Sequence, residues 1–282
     1  MQFTKWQACG NNFIFINGCA DGFTKADFAR ILEKTKVLCD VHFGIGADGI
    51  IFILPSDKAD LKMRIFNNDG SEAEMCGNGI RCFAKWAYRL GLVKSKKMKV
   101  ETGAGILTPE LLDNGNVKVD MGCPRLQAAQ IPAKDFGEGP VIGKKLRIEQ
   151  LDREFDVTCV SMGNPHCVIF EEKWNPNAPE MYGSYIETDS HFPQKTNVEF
   201  VQQLGPNSLR MRVWERGVGV TLACGTGTCA TVVAAILNGK VKDAADVSLD
   251  GGELHIEWAG TEKDHVFMTG PAEQVFEGSF DL

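Results

Sequence analysis

The sequence predicts an α+β protein of two pseudo-symmetric duplicated domains, each a curved, mostly antiparallel sheet wrapped around a central apolar helix. Three observations predict this fold. The 282 residues suit about two domains at roughly 150 residues each. The two halves of the chain repeat one another. Each copy also runs from a short apolar strand through a Gly-rich turn into an apolar helix.

The repeat is the strongest of the three. RIFNNDGSEAEMC at 64–76 lines up with RVWERGVGVTLAC at 212–224, and Arg64 meets Arg212 at an offset of 148 residues. Without a gap, Phe66 then meets Trp214, Cys76 meets Cys224 and Gly77 meets Gly225. Gly79 meets Gly227, Gly91 meets Gly239 and Gly122 meets Gly270 in the same register. Upstream, Gly10-Asn11 before FIFI parallels Gly163-Asn164 before CVIF at a slightly larger offset. With Ile65 and Val213, Ala87 and Ala235, Val93-Lys94 and Val241-Lys242, and Gly103 and Gly251 at the same offset, a dozen matches in one register indicate a duplication.

The elements follow in order. MRIF at 63–66 and RMRVW at 210–214 read as strands feeding the turns. Helices are expected over 78–90 and 226–238, each stopped by a glycine, Gly91 or Gly239. Ile80, Phe83, Ala84, Trp86 and Ala87 in one, and ATVVAAIL in the other, are apolar nearly all round. Such helices are buried on most sides. Alternation such as Val117, Val119 and Met121, with Asp-Asn-Gly and Gly turns, predicts mostly antiparallel strands. The expected domains are 1–121 with 271–282, and 122–270.

Composition narrows the function. With 30 Lys plus Arg against 37 Asp plus Glu, the net charge is −7, which argues against a phosphate backbone as partner. No apolar run approaches a membrane span, and MQFTKW lacks the features of a secretion signal. A cytoplasmic protein with neither nucleic-acid nor membrane partner is expected, and a homodimer stays open. No GxGxxG follows a strand and no GxxxxGK[ST] occurs. Apart from Cys224 and Cys229, a C-x4-C pair in a Gly-rich turn running into an apolar stretch, the ten cysteines and five histidines show no zinc-ligand spacing, so no metal site is expected. Most of the cysteines read as small buried hydrophobes.

Cys76 and Cys224 differ from the rest because each heads a helix. The first-turn N–H groups there lack intrahelical partners and the dipole is positive. Such an end can hold a carboxylate or stabilise a thiolate. A free thiol is only about 3% ionised at neutral pH, a deficit of roughly 2 kcal/mol. The glycines at 77, 79, 225 and 227 allow close approach to a ligand. Cys82 and Cys229 point away from the turns and belong to the core. One Cys-Gly-x-Gly turn alone reads as a tight helix start. A duplicated pair, expected to face one another across a cleft, suits a two-base racemase or epimerase, which needs an acid and a base on opposite faces of one carbon.

GNNF at 10–13, FNNDGSEAEMCGNGIRC at 66–82, GNPHCV at 163–168, TNVEFV at 196–201 and ERGVGVTLACGTGTC at 215–229 closely resemble the diaminopimelate epimerase family over nearly the whole chain. The resemblance implies a cofactor-independent isomerase that interconverts LL- and meso-2,6-diaminopimelate, on the route to lysine and peptidoglycan precursors. It implies Cys76 and Cys224 as catalytic bases. Substrate contacts fall on Asn11, Asn67, Asn164, Asn197, Glu215 and Arg216, and the N–H groups of Gly77, Asn78, Gly225 and Thr226 would bind the reacting carboxylate. It also implies that 271–282 returns to the first domain as a strand.

These residue types suit a substrate with an amino-acid group at each end. Arg216 offers a planar fork to the distal carboxylate, Glu215 can hold an ammonium, and the asparagine amides both donate and accept. Asn11 and Asn164 also read simply as turn formers after glycine. Arg64 and Arg212 read as solvated or paired on the sheet, and His166 reads as a turn residue beside Asn164. The chain departs from the family pattern at Val220, where Glu is common, at Asn12, where Asp is usual, and in WQAC just before it. A proline-racemase-like isomerase of the same fold is the alternative. Asn78, where that group usually has His, and Arg216, which would find no second carboxylate, argue against it.

Overall fold

Cys9 and Gly10 both hold positive φ, 52° and 81°, and make the two-residue turn that joins β1 (Gln2–Ala8) to β2 (Asn11–Asn17). Two left-handed residues in succession match the twist of the flanking strands. The computed structural model describes all of residues 1–282. They divide into unit 1, Met1–Val119 with Gly270–Leu282, and unit 2, Asp120–Thr269.

Unit 1 continues with α1 (Lys25–Glu33), α2 (Thr35–Cys39), β3 (Gly49–Leu54), β4 (Leu61–Asn67) and β5 (Glu72–Ala73). Next come α3 (Gly77–Arg89), β6 (Val100–Thr102), β7 (Gly105–Leu107), β8 (Glu110–Leu111) and β9 (Val117–Asp120), which crosses the boundary between the units. Unit 2 carries β10 (Lys144–Ile148), β11 (Arg153–Ser161), β12 (Pro165–Phe170), α4 (Ala178–Glu187), β13 (Asn197–Gly205), β14 (Ser208–Glu215) and β15 (Gly219–Thr221). It closes with α5 (Gly225–Leu237), β16 (Ala244–Leu249), β17 (Gly252–Glu257) and β18 (Phe267–Gly270). The chain then returns to unit 1 as β19 (Glu273–Ser279), antiparallel to β1.

The same pairing scheme is built twice. In unit 1 the order is β19-β1-β2-β3-β4-β6-β7 with β5 beside β4, and in unit 2 it is β10-β11-β12-β13-β14-β16-β17 with β15 beside β14. Most neighbours are antiparallel. β2 with β3 and β4 with β6 are parallel, as are β12 with β13 and β14 with β16. A parallel neighbour needs a crossover. Helices α1 and α2, or α4, supply the first in each unit, and α3 or α5 supplies the second. The crossover helices α1, α2 and α4 were not foreseen from the sequence; they lie in the chain between β2 and β3, and between β12 and β13.

They explain why β2 has four consecutive buried residues, Phe13–Ile16. Alternate side chains of a strand point to opposite faces, so a strand buried throughout is covered on both. Ile14, Ile16, Ile50 and Phe52 pack with Ile31 and Leu38 of α1 and α2 in one core cluster. Burying each such side chain stabilises by about 1.5–3 kcal/mol. Thr24 caps α1 by a reciprocal box with Asp27. Helices α3 and α5 stop as their glycines require: Gly91 and Gly239 follow the caps with φ of 71° and 66°. No helix is long and apolar enough to cross a membrane.

Candidate active site

Each central helix begins on its cysteine. Cys76 is the N-cap of α3 and Cys224 that of α5, both with extended backbone, and each sulfur accepts the N–H of the residue three further on. Gly79 N–H lies 3.4 Å from Cys76 Sγ, and Gly227 N–H lies 3.3 Å from Cys224 Sγ. A sulfur in the usual place of a Ser or Asp oxygen thus lies over the positive end of a helix, and it does so twice.

In unit 1, Cys76, Asn11 and Asn78 come together. Cys76 Sγ donates to Asn11 Oδ1 at 3.5 Å, and Asn78 Nδ2 donates to the same oxygen at 3.4 Å. Asn11 Nδ2 donates to Asp48 Oδ2 at 2.8 Å, and that oxygen also accepts the Asn12 N–H. The segment GIGADG at 44–49 therefore runs into β3 and delivers Asp48 to the asparagines. Asn12 donates its amide to Asp48 at 3.1 Å, which a carboxylate at this position could not do. Beneath the turn, the wholly buried Arg81 donates to Asn78 Oδ1 at 2.9 Å and to the carbonyls of Gly77 and Pro271, both at 3.1 Å. Arg81 was not singled out from the sequence, where it is one of three cations on α3 with Lys85 and Arg89. Asn67 is exposed at the end of β4 and donates to Ser71 Oγ.

In unit 2, Cys224, Thr226, Asn164 and Glu215 come together. Thr226 Oγ1 lies 3.5 Å from Cys224 Sγ and accepts from Asn164 Nδ2 at 3.2 Å. Glu215 is hydrogen-bonded by Thr221 and by the Cys224 thiol. Burial raises the Glu215 carboxyl, and the Glu199 charge adds to the rise against the bonds from Thr221 and Cys224. The helix start was expected to favour a thiolate. The net effect on Cys224 is the opposite: burial pushes the thiol well above its ordinary value, Glu215 and Glu199 push the same way, and the Thr226 hydroxyl and Gly227 N–H only offset part of this. Cys224 is 7% exposed, so the low-dielectric surroundings disfavour its charge.

Asn197 and Arg216 form a neighbouring group. Asn197 donates to the Pro165 carbonyl at 2.8 Å and accepts the Arg216 N–H at 2.9 Å. Arg216 is exposed, its guanidinium donating to the Gln194 carbonyl. The turn after it is anchored by Glu187, which accepts from Trp214 Nε1 at 2.7 Å and from Gly217 N–H at 2.9 Å. Spacing alone gave no sign of Glu187. Arg64 and Arg212 are paired on their sheets, with Glu72 at 2.6 Å and Asp250 at 2.6 Å. Cys82 and Cys229 are wholly buried.

Comparison with known proteins covers almost the entire chain. The family described as diaminopimelate epimerase matches residues 3–127 and 158–275. A diaminopimelate epimerase of Pelotomaculum thermopropionicum is 50% identical, over 99% of this chain and 99% of its own. One from Desulfitobacterium hafniense is 49% identical, over 99% of this chain and 97% of its own. Among solved structures, a phenazine biosynthesis protein of the PhzF family from Bacillus anthracis has a TM-score of 0.68 at 17% identity, covering 100% and 99% of the two chains. A hydroxyproline epimerase from Agrobacterium vitis has a TM-score of 0.67 at 15% identity, covering 99% and 91%. These two likenesses are of fold. The family match takes in both units and both cysteine turns, and the chain belongs to the diaminopimelate epimerase family and is an isomerase.

Proposed function

We propose that the chain interconverts LL- and meso-2,6-diaminopimelate without a cofactor, by a two-base mechanism in which Cys76 and Cys224 act on opposite faces of one α-carbon. The observation that carries this reading is the twofold occurrence of a cysteine N-cap whose sulfur accepts the N–H three residues on. One thiolate takes the α-proton, the C–H electron pair passes to the α-carbon and its carboxylate, and the other thiol returns a proton to the opposite face. Atoms and charge balance, and the enzyme is left with the two protonation states exchanged. First-turn N–H groups at Gly77, Asn78, Gly225 and Thr226 would hold the carboxylate as its charge grows. Cys224, held protonated by burial, is suited to act as the acid that delivers the proton.

The distal end of the substrate is assigned to Arg216, whose exposed guanidinium can meet a carboxylate in a fork. Asn11, Asn67, Asn164, Asn197 and Glu215 would read the amino and carboxylate groups. A monocarboxylate such as proline would leave Arg216 without a partner, which favours diaminopimelate over the proline-racemase-like alternative. The product would serve lysine and peptidoglycan precursor synthesis. The test is incubation with diaminopimelate in deuterated water, with reductant and no added cofactor. Proton NMR should show loss of the α-proton signal together with appearance of the second stereoisomer. An α-proton that persists with folded, reduced protein would overturn the reading.

A further inference from the structure

The two half-sites differ most beneath their cysteine turns. The offset of 148 residues that aligns Cys76 with Cys224 also aligns Ile51 of β3 with Glu199 of β13, while the Gly-Asn match sets Phe13 against His166. Ile51 and Phe13 are buried apolar residues; Glu199 and His166 are ionisable and both 0% exposed. The strand side chain approaches the second glycine of its turn equally closely in both units. A Cβ on Gly79 would stand 2.7 Å from Ile51 Cδ1, and one on Gly227 would stand 2.6 Å from Glu199 Oε1. A methyl group fills this place in one unit and a carboxylate in the other.

A buried carboxylate is costly unless it is bonded. Glu199 Oε1 lies 2.7 Å from His166 Nδ1, while Oε2 is buried with no partner. The other ring nitrogen, Nε2, lies 3.1 Å from Asn164 Oδ1. An amide oxygen carries no hydrogen, so Nε2 supplies the one between them, while Nδ1 and Glu199 Oε1 form the second bond of the ring. With its oxygen held in this way, the Asn164 amide directs its NH2 to Thr226 on the first turn of α5. In unit 1 the polarity is reversed. Asp48 holds the NH2 end of Asn11 and leaves its oxygen toward Cys76 and Asn78. Each asparagine is oriented by a carboxylate, directly or through a ring, and opposite ends of the two amides are left toward the cysteine turns.

We propose that Glu199 is a positioning residue for epimerisation: acting through His166, it fixes Asn164 as a donor toward the substrate's carboxylate, as Asp48 fixes Asn11 as an acceptor toward its ammonium. The proposal rests on the two-cysteine reading of the site. Glu199→Ile, which copies Ile51, removes the partner of Nδ1 and should lower kcat/KM by about tenfold, the usual effect of losing one oriented hydrogen bond. Glu199→Gln can donate its NH2 to Nδ1 and keep Nε2–H on Asn164, so it should stay within about threefold of the parent. The two losses should not multiply: in an Asn164→Ala background, Glu199→Ile should have little further effect. Should Glu199→Ile fold poorly, the double variant His166→Phe with Glu199→Ile restores the apolar pair of unit 1, and the same cycle with Asn164→Ala applies. Losses that multiply, or a Glu199→Gln variant as impaired as Glu199→Ile, would overturn the proposal. Nitrogen-15 NMR of the His166 ring supplies a readout without substrate: Glu199→Ile should change the Nε2–H signal and Glu199→Gln should keep it, and an unchanged ring in both sinks the proposal. A parent protein inert toward diaminopimelate would count against the two-cysteine reading alone, because the ring spectrum still decides where Glu199 acts.

Discussion

The Cys224 thiol keeps its proton more firmly than a thiol in water, because it is buried and faces the carboxylates of Glu215 and Glu199. Glu215→Gln removes one of those charges at nearly constant volume. The expected result is that Cys224 titrates at lower pH in the variant, moving back toward the ordinary thiol range. The pH dependence of Cys224 alkylation by iodoacetamide, followed by peptide mass, reads this directly. An unmoved or higher midpoint would contradict the assigned role of Glu215. Both cysteines were legible in the sequence, because a helix start is written in local grammar and the duplication marked the pair. Glu199 was not, and His166 was read as a turn residue beside Asn164 although it lies on β12, because a hydrogen bond across strands leaves no trace in spacing. The one available sign was a charged residue inside NVEFV, a run buried at every position.

Helix α4 lies against β14 at a point with no spare volume. A Cβ on Gly183 would stand 2.5 Å from Trp214 Cγ and 2.6 Å from its Cβ, so the helix reaches the strand only because residue 183 has no side chain. Gly183→Ala should force the two apart at a cost of about 1–3 kcal/mol. At roughly 2–4 °C per kcal/mol for a protein of this size, a thermal melt should show Tm lowered by several degrees. An unchanged Tm would mean that the contact yields freely. The central helices were legible because apolar residues on nearly every side, closed by a glycine, describe a buried helix. The crossover helices were not. Helix α1 has one fully buried residue, Ile31, among charged neighbours, and α2 is five residues long, too short for a period to emerge. Without them the parallel pairs β2 with β3 and β12 with β13 were equally hidden.

Across the whole molecule, resistance to acid depends on carboxylates that folding holds ionised. Glu187 is the clearest. Burial alone would raise its carboxyl, but the Trp214 and Gly217 N–H groups and the Lys195 ammonium outweigh burial and hold it below its ordinary value. A group with a lowered folded pKa contributes stability that is fully present above the unfolded value and is lost as pH falls through the folded one. Resistance to urea unfolding should therefore fall as pH drops below the ordinary glutamate range, and Glu187→Gln should be less stable at neutral pH with a shallower decline in acid. Parallel declines in the two proteins would show that Glu187 is not linked to folding. The duplicated architecture was legible from one register of matched residues. The discontinuous make-up of unit 1 was expected only through family likeness, since nothing in PAEQVFEGSFDL demands a place beside β1.

That discontinuity bears on how the protein is made. Strand β1 leaves the ribosome well before its neighbour β19. About 150 residues of unit 2 emerge between Val119 and Gly270, a wait of roughly 10–30 s at common rates of synthesis. Throughout that interval one edge of β1 lacks its partner, and Arg81 lacks the carbonyl of Pro271. Unit 2, whose strands are contiguous in the chain, has all its residues available before the older half of the molecule can be completed.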